Sequence, residues 1–192
     1  MLSERWNREN TRETYALRTP VTIIMVFMSM LKVTVAQFEI AVGDLKTNLE
    51  NCLYAVWQAA AAGSQVLQLP ELWYSGYDLT NRQYHSQETL TVSDQLQKLA
   101  DEYQLAIGGS YITARDNQFF NSYLLFLPGQ TVPVRYDKTH LFRLLDEQKA
   151  FTPGDQLAVV DLGGCKAGLA ICYDARFPEL IRAYAHRQID LL

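Results

Sequence analysis

Apolar positions in this chain change period several times, and each change predicts an element. "LKVTVAQFEI" (31–40) is rich in β-branched residues and predicts a strand. Asp44 is placed to cap a helix running to about Ala62, because Leu45, Leu49, Leu53, Val56 and Ala60 recur at helical spacing and Gly63 follows. "SQVLQLPE" (64–71) predicts the next strand, and "LWYSGYDLTN" (72–81) a loop. A second helix is expected over 92–103, with Leu96, Leu99, Ala100 and Tyr103 on one face. Strands are expected at 105–113, 119–128 and 132–138, with a turn at Pro128-Gly129-Gln130. "LAVVDLGG" and "CKAGLAIC" predict a hairpin around Gly163-Gly164. "PELIRAYAHRQ" (178–188) predicts a helix, and "IDLL" (189–192) the start of a strand. A βαβαβ beginning followed by hairpins implies an α/β layered sandwich in one domain, without internal repeats.

The first 30 residues fit this pattern poorly. "PVTIIMVFMSML" (20–31) is apolar and follows several arginines, but it is shorter than the roughly 20 apolar residues that span a bilayer. No small-x-small cleavage site follows, so export is disfavoured. The expectation is an N-terminal extension over 1–30, either a disordered tail or sequence upstream of a natural start at Met28 or Met30. The domain proper is then 31–192.

Composition narrows the classes. The 192 residues are nearly half hydrophobic and one fifth charged, which is globular rather than disordered. The net charge is −4 and no basic stripe suggests nucleic acid. Cys52, Cys165 and Cys172 are odd in number and fit no zinc spacing. They imply a reducing, cytoplasmic setting. His85, His140 and His186 are too scattered to form a metal site.

Candidate chemistry centres on "AGLAICYDARFPEL" (167–180). Cys172 sits between an apolar run and Pro178, a residue suited to the first turn of a helix. The local pattern serves either a buried core cysteine or a nucleophile at a strand-to-helix elbow. A nucleophile needs a base, and no histidine lies in a comparable context. Glu71, in "LQLPELW", would be delivered by an apolar strand to the sheet's carboxyl edge. There it could accept the thiol proton and return it to a leaving amine. Its alternative is a solvated acid at a strand end. Lys138, in "VRYDKTHLF", is either surface charge or the group that stabilises an oxyanion and favours the thiolate.

Taken together and in this order, Glu71 in "LPELWYSGYDL", Lys138 in "YDKTHLF" and Cys172 in "GLAICYDARFPEL" resemble the Glu–Lys–Cys triad of the nitrilase superfamily, the carbon–nitrogen hydrolases. The resemblance runs from about Leu31 to the last residue. It implies an αββα sandwich of the nitrilase type, incomplete here because such proteins continue past this point. It also implies hydrolysis of a small carboxamide through a thioester on Cys172, without metal or organic cofactor. Glu147 matches a further family glutamate beside the triad, and Tyr173 would lend a backbone N–H to the oxyanion. Asp174 and Arg176 would hold the elbow. "KTHLFRLLDEQ" looks most like the omega-amidase branch. Nitrilase, N-carbamoyl amine hydrolase and ammonia-feeding glutaminase chemistry are the alternatives within the class. A catalytically impaired fragment acting as a binding partner is the alternative outside it. The implied partners are a small-molecule amide and further copies of the chain, with no nucleic acid or membrane.

Overall fold

The computed structural model describes residues 22–28 and 31–192. A six-stranded sheet organises it: β1 (Thr22–Met28), β2 (Leu31–Gln37), β3 (Val66–Gln68), β4 (Ala106–Arg115), β5 (Gln118–Phe126) and β6 (Val134–Asp137) lie side by side in chain order. β2, β3 and β4 run parallel, while β1 pairs antiparallel with β2, and β5 and β6 complete an antiparallel meander from β4. The parallel connections are made by α1 (Leu45–Ala61) and α2 (Arg82–Tyr103). A second, two-stranded sheet holds β7 (Val159–Asp161) and β8 (Lys166–Gly168), followed by α4 (Pro178–His186); a single short turn of helix, α3, spans Glu147–Ala150.

Strand alternation explains the layers. Leu67, Ile107, Leu124 and Phe126 face one side of the large sheet and pack with Cys52, Val56, Ala59, Leu96 and Ala100 of α1 and α2. Their neighbours Val66, Ala106, Tyr123 and Leu125 face the other side and pack with Val160, Ala167, Leu169 and Ile171. A strand residue and its successor point to opposite faces, so a strand buried on both reads as continuously apolar. Tyr184 of α4 is fully buried, and its hydroxyl donates to the Leu169 carbonyl, which fixes the helix outside the second sheet. The order is helix, sheet, sheet, helix, the layered α/β sandwich expected. Each fully buried leucine in these interfaces contributes about 1.5–3 kcal/mol of transfer free energy.

Several boundaries differ from the sequence pattern. α2 begins ten residues before the expected start at 92, since its early buried face is His85, Ser86 and Thr89 rather than apolar. Hydrogen bonds hold much of that face: the Thr89 hydroxyl is shared between the carbonyls of His85 and Ile112 at 2.9 and 2.8 Å, and His85 Nε2 pairs with Asp78 at 2.8 Å. β3 keeps only three residues, and β8 stops at Gly168 instead of running to Cys172. "IDLL" contributes one parallel bridge, Leu191 to Ala167, rather than a full strand. Most of the expected extension over 1–30 lies outside the described residues; within it, Thr22–Met28 is paired along its length with β2. Among the described residues no helix is long and apolar enough to cross a membrane.

Candidate active site

Three chain segments converge at the carboxyl edge of the large sheet. The first leaves β3. Leu69 donates to the Gly108 carbonyl at 2.7 Å, and the chain then turns away through Pro70 and Glu71. Leu72 follows in a left-handed conformation (φ 46°), with its N–H donating to Ser110 Oγ at 2.8 Å. A side chain on Gly109 would lie 2.8 Å from both Leu69 Cβ and Trp73 Cδ1. Glycine at that place lets the turn bearing Glu71 seat against β4.

The second segment leaves β6. The Lys138 N–H donates to the Asn121 carbonyl and its own carbonyl accepts from Gly154, both at 2.9 Å. A Cβ on Gly154 would fall 2.1 Å from the Asp137 carbonyl oxygen, so only glycine permits this closure. The Lys138 side chain is wholly buried. Its ammonium donates to Glu71 Oε1 at 2.7 Å and to both oxygens of Glu147 at 3.0 and 2.9 Å. Glu147 is equally buried at the start of α3, and its Oε2 also accepts from the Phe142 N–H at 2.6 Å. Burial alone would pull the Lys138 pKa down; the two carboxylates outweigh it and hold it above its ordinary value, so the group is a cation.

Cys172 supplies the third segment. Ile171 is extended (φ −123°), Cys172 is left-handed (φ 44°), and Cys172–Arg176 form a short 3₁₀ turn before α4. That reversal exposes the thiol, in contrast to the fully buried Cys52. A non-glycine residue in this region carries strain that surrounding contacts must hold. Asp174 does so. It is fully buried and accepts from the Ile171 N–H (3.0 Å), the Tyr136 hydroxyl (2.8 Å), and the His140 N–H and Nδ1 (2.8 and 2.9 Å). His140 also stacks on Phe177 with ring centroids 3.6 Å apart. One carboxylate thereby ties the cysteine elbow to the segment that follows Lys138.

The cysteine's electrostatics differ from the expected activated thiolate. Partial burial raises the Cys172 pKa, the charge of Glu71 and a hydrogen bond to it raise it further, and Glu147 adds to this. Lys138 pulls the other way and does not prevail. The resting sulfur is therefore a neutral thiol beside the Glu71 carboxylate.

The residues singled out in the sequence for the chemistry thus fall in one region. Glu71, Lys138, Glu147 and Cys172 form a connected cluster, and the Tyr173 ring packs on Phe142 at 4.8 Å beside it. Arg176 does not act with Asp174: it is exposed and makes no ion pair among the described residues. Sequence reasoning passed over Asn121, whose side-chain amide donates to Glu71 Oε1 at 2.8 Å and to Glu147 Oε1 at 3.1 Å. It also passed over Tyr77, where burial, then the charges of Glu71 and Glu147, push the pKa far up. Asn121 is polar inside the apolar strand "FFNSYLLF", and that mismatch was a usable signal. Among the described residues no three His, Cys, Asp or Glu side chains converge as metal ligands would.

Fold and cluster define a layered α/β protein in which a paired carboxylate and ammonium lie beside a thiol. The family model described as carbon-nitrogen hydrolase matches residues 32–192, and the chain belongs to that family. It is 33% identical over 162 residues to nitrilase homolog 2 of Dictyostelium discoideum, covering 78% of this chain and 49% of that protein. It is 31% identical over 159 residues to the 2-oxoglutaramate amidase of Bacillus subtilis, covering 81% and 61%. A mutant amidase from Nesterenkonia sp. AN1, carrying the acetamide moiety of fluoroacetamide covalently on its active-site cysteine, superposes with a TM-score of 0.74 at 27% identity, covering 82% of this chain and 61% of that one. The chain thus spans about half to three fifths of the length of these proteins.

Proposed function

We propose that the protein hydrolyses the terminal amide of a small linear carboxamide, in the manner of an omega-amidase, with Cys172 as nucleophile. The observation that carries this reading is the Glu71 carboxylate, held by Lys138 at 2.7 Å and near enough to Cys172 for its charge to raise the thiol's pKa. Lys138 and Asn121 both occupy Oε1. Glu71 takes the thiol proton as sulfur attacks the carbonyl carbon, and the carbonyl π electrons move to oxygen. The Tyr173 N–H donates to that oxyanion, and the Lys138 ammonium, its three donors held by Glu71 and Glu147, supplies positive charge behind it. Collapse breaks the C–N bond, and ammonia leaves with the proton from Glu71. A thioester on Cys172 remains. Water, deprotonated by Glu71, attacks it, and the second collapse releases the acid and returns the proton to sulfur. Glu147 holds Lys138 charged and in place throughout.

Ammonia release tests the reading. Short carboxamides, the matching nitriles and N-carbamoyl amines are offered to the protein and to Cys172→Ala. The expected result is ammonia from the carboxamides only, lost in the variant. Preferred turnover of nitriles or carbamoyl amines would reassign the substrate class, and Cys172-independent turnover would overturn the mechanism.

A further inference from the structure

Asn121 stands in β5 opposite Ile112, and its backbone carbonyl accepts the Lys138 N–H at 2.9 Å. The residue is 1% exposed. Its amide nitrogen has two hydrogens and spends both on acids, donating to Glu71 Oε1 at 2.8 Å and to Glu147 Oε1 at 3.1 Å. The amide oxygen has no partner among the described residues. A leucine would fill such a strand position without burying an unpaired oxygen, so the fold alone does not call for asparagine. An ionised carboxylate offers about four acceptor sites, two on each oxygen. Glu147 has all of them filled: Oε1 accepts from Lys138 and Asn121, and Oε2 from Lys138 and the Phe142 N–H. Glu71 Oε1 accepts from Lys138 and Asn121 and is full as well. Of the four carboxylate oxygens, only Glu71 Oε2 has no donor from Lys138, Asn121 or the backbone. Cys172 and Tyr77 are the remaining titratable groups around Glu71, both near enough to feel its charge.

We infer that Asn121 is a positioning residue for the proton transfers: by closing Glu71 Oε1 and Glu147 Oε1 it reserves Glu71 Oε2 as the atom that takes the thiol proton and hands it to the leaving nitrogen. This inference rests on the amidase reading above and adds the residue that directs its proton. The proton passes from sulfur to Oε2, then from Oε2 to nitrogen as the C–N bond breaks, and none is left behind in the cluster. Without Asn121, both Oε1 atoms lose a donor while still meeting at the same ammonium. Two carboxylates in one site then share a proton. A proton bound between the acids is not on Oε2, and ammonia leaves poorly.

Leaving-group dependence tests it. Butyramide and p-nitrophenyl butyrate form the same acyl-enzyme, but p-nitrophenolate leaves without a proton. Asn121→Leu is expected to lower kcat/KM for the amide by about a hundredfold, the size of a misdirected general acid, and for the ester by far less. Asn121→Ala, which crowds nothing, repeats the comparison where leucine does not fold. Equal losses on the two substrates, the mark of a structural role, or no loss on the amide would overturn the inference. Infrared spectra of protein with isotope-labelled glutamate carboxyls give a readout without turnover: a carboxylic-acid band at neutral pH is expected in the variant and not in the parent. A variant without that band would overturn the inference. The band in a protein that hydrolyses no amide removes the hydrolase reading and keeps Asn121 as the residue that directs the cluster's proton. Cys172-dependent amide hydrolysis, with no band and equal losses, does the reverse.

Discussion

Lys138 Nζ lies 2.9 Å from Glu147 Oε2, and neither side chain is reached by solvent. Breaking a buried pair leaves an uncompensated charge, at a cost of about 3–5 kcal/mol. Lys138→Met leaves Glu71 and Glu147 facing one another without a cation, so it should lose that much in urea unfolding at neutral pH. Glu147→Gln keeps an acceptor and leaves Glu71 on the ammonium. It should cost less stability, yet reduce kcat by about a hundredfold through a misplaced Lys138. Equal stability losses for the two variants would show that charge balance is not what holds the cluster.

The raised Cys172 pKa gives a pH prediction. The thiolate is the species that alkylates, so the rate of iodoacetamide labelling should climb through a midpoint above that of an ordinary thiol. Glu71→Gln removes a negative neighbour that disfavours the thiolate, so the midpoint should fall. Cys52, buried and pushed above the normal range by burial, should label far more slowly than Cys172 at every pH. Peptide mapping after timed labelling measures all three. A Glu71→Gln midpoint that stays put or rises would contradict the contact.

The elbow should depend on Asp174. Asp174→Ala takes the acceptor from the Ile171 and His140 N–H groups and leaves the Tyr136 hydroxyl only its Thr139 partner, and each stranded donor costs about 1–3 kcal/mol. The expected outcome is a lower melting temperature together with a changed labelling rate at Cys172. Arg176→Ala, on an exposed side chain one turn further, should change neither. Thermal melts and labelling of both variants decide it.

Gly154 offers a test at one remove from the chemistry. Gly154→Ala would set a methyl 2.1 Å from the Asp137 carbonyl oxygen, and the backbone carrying Lys138 has to shift. Overpacking of this kind costs about 1–3 kcal/mol. Turnover should fall with it, because Lys138 is displaced. Unaltered kcat and stability would mean that the closure between Gly154 and Lys138 is not needed.

These particulars show what the chain's pattern discloses. Elements with an apolar face were legible: α1 runs from its Asp44 cap as expected, the Asp44 carboxylate accepting the Thr47 N–H at 3.0 Å. The front half of α2 was hidden because its buried face, His85, Ser86 and Thr89, is polar. Glu71 and Cys172 were legible because each follows an apolar run that ends abruptly, and Lys138 because it stands between a strand and an apolar segment. Asn121, Tyr77 and the His140–Asp174 contact were not, since their partners lie far along the chain: Asn121 reaches 50 positions back to Glu71, and His140 reaches 34 forward to Asp174. The neutral state of the thiol was beyond the pattern too, because it depends on burial and on two carboxylates outweighing one ammonium, all of which only the fold sets.

The central claim is that Cys172 attacks the amide carbon. Its most direct test is to mix the protein with saturating glutaramate, quench in acid within the first turnovers, and map the peptides by mass. The account predicts that the peptide containing Cys172 gains the mass of the acyl group, that Cys52 and Cys165 stay unmodified, and that Cys172→Ala releases no ammonia. Ammonia release at an undiminished rate from Cys172→Ala, with no acylated peptide in the parent protein, would contradict it.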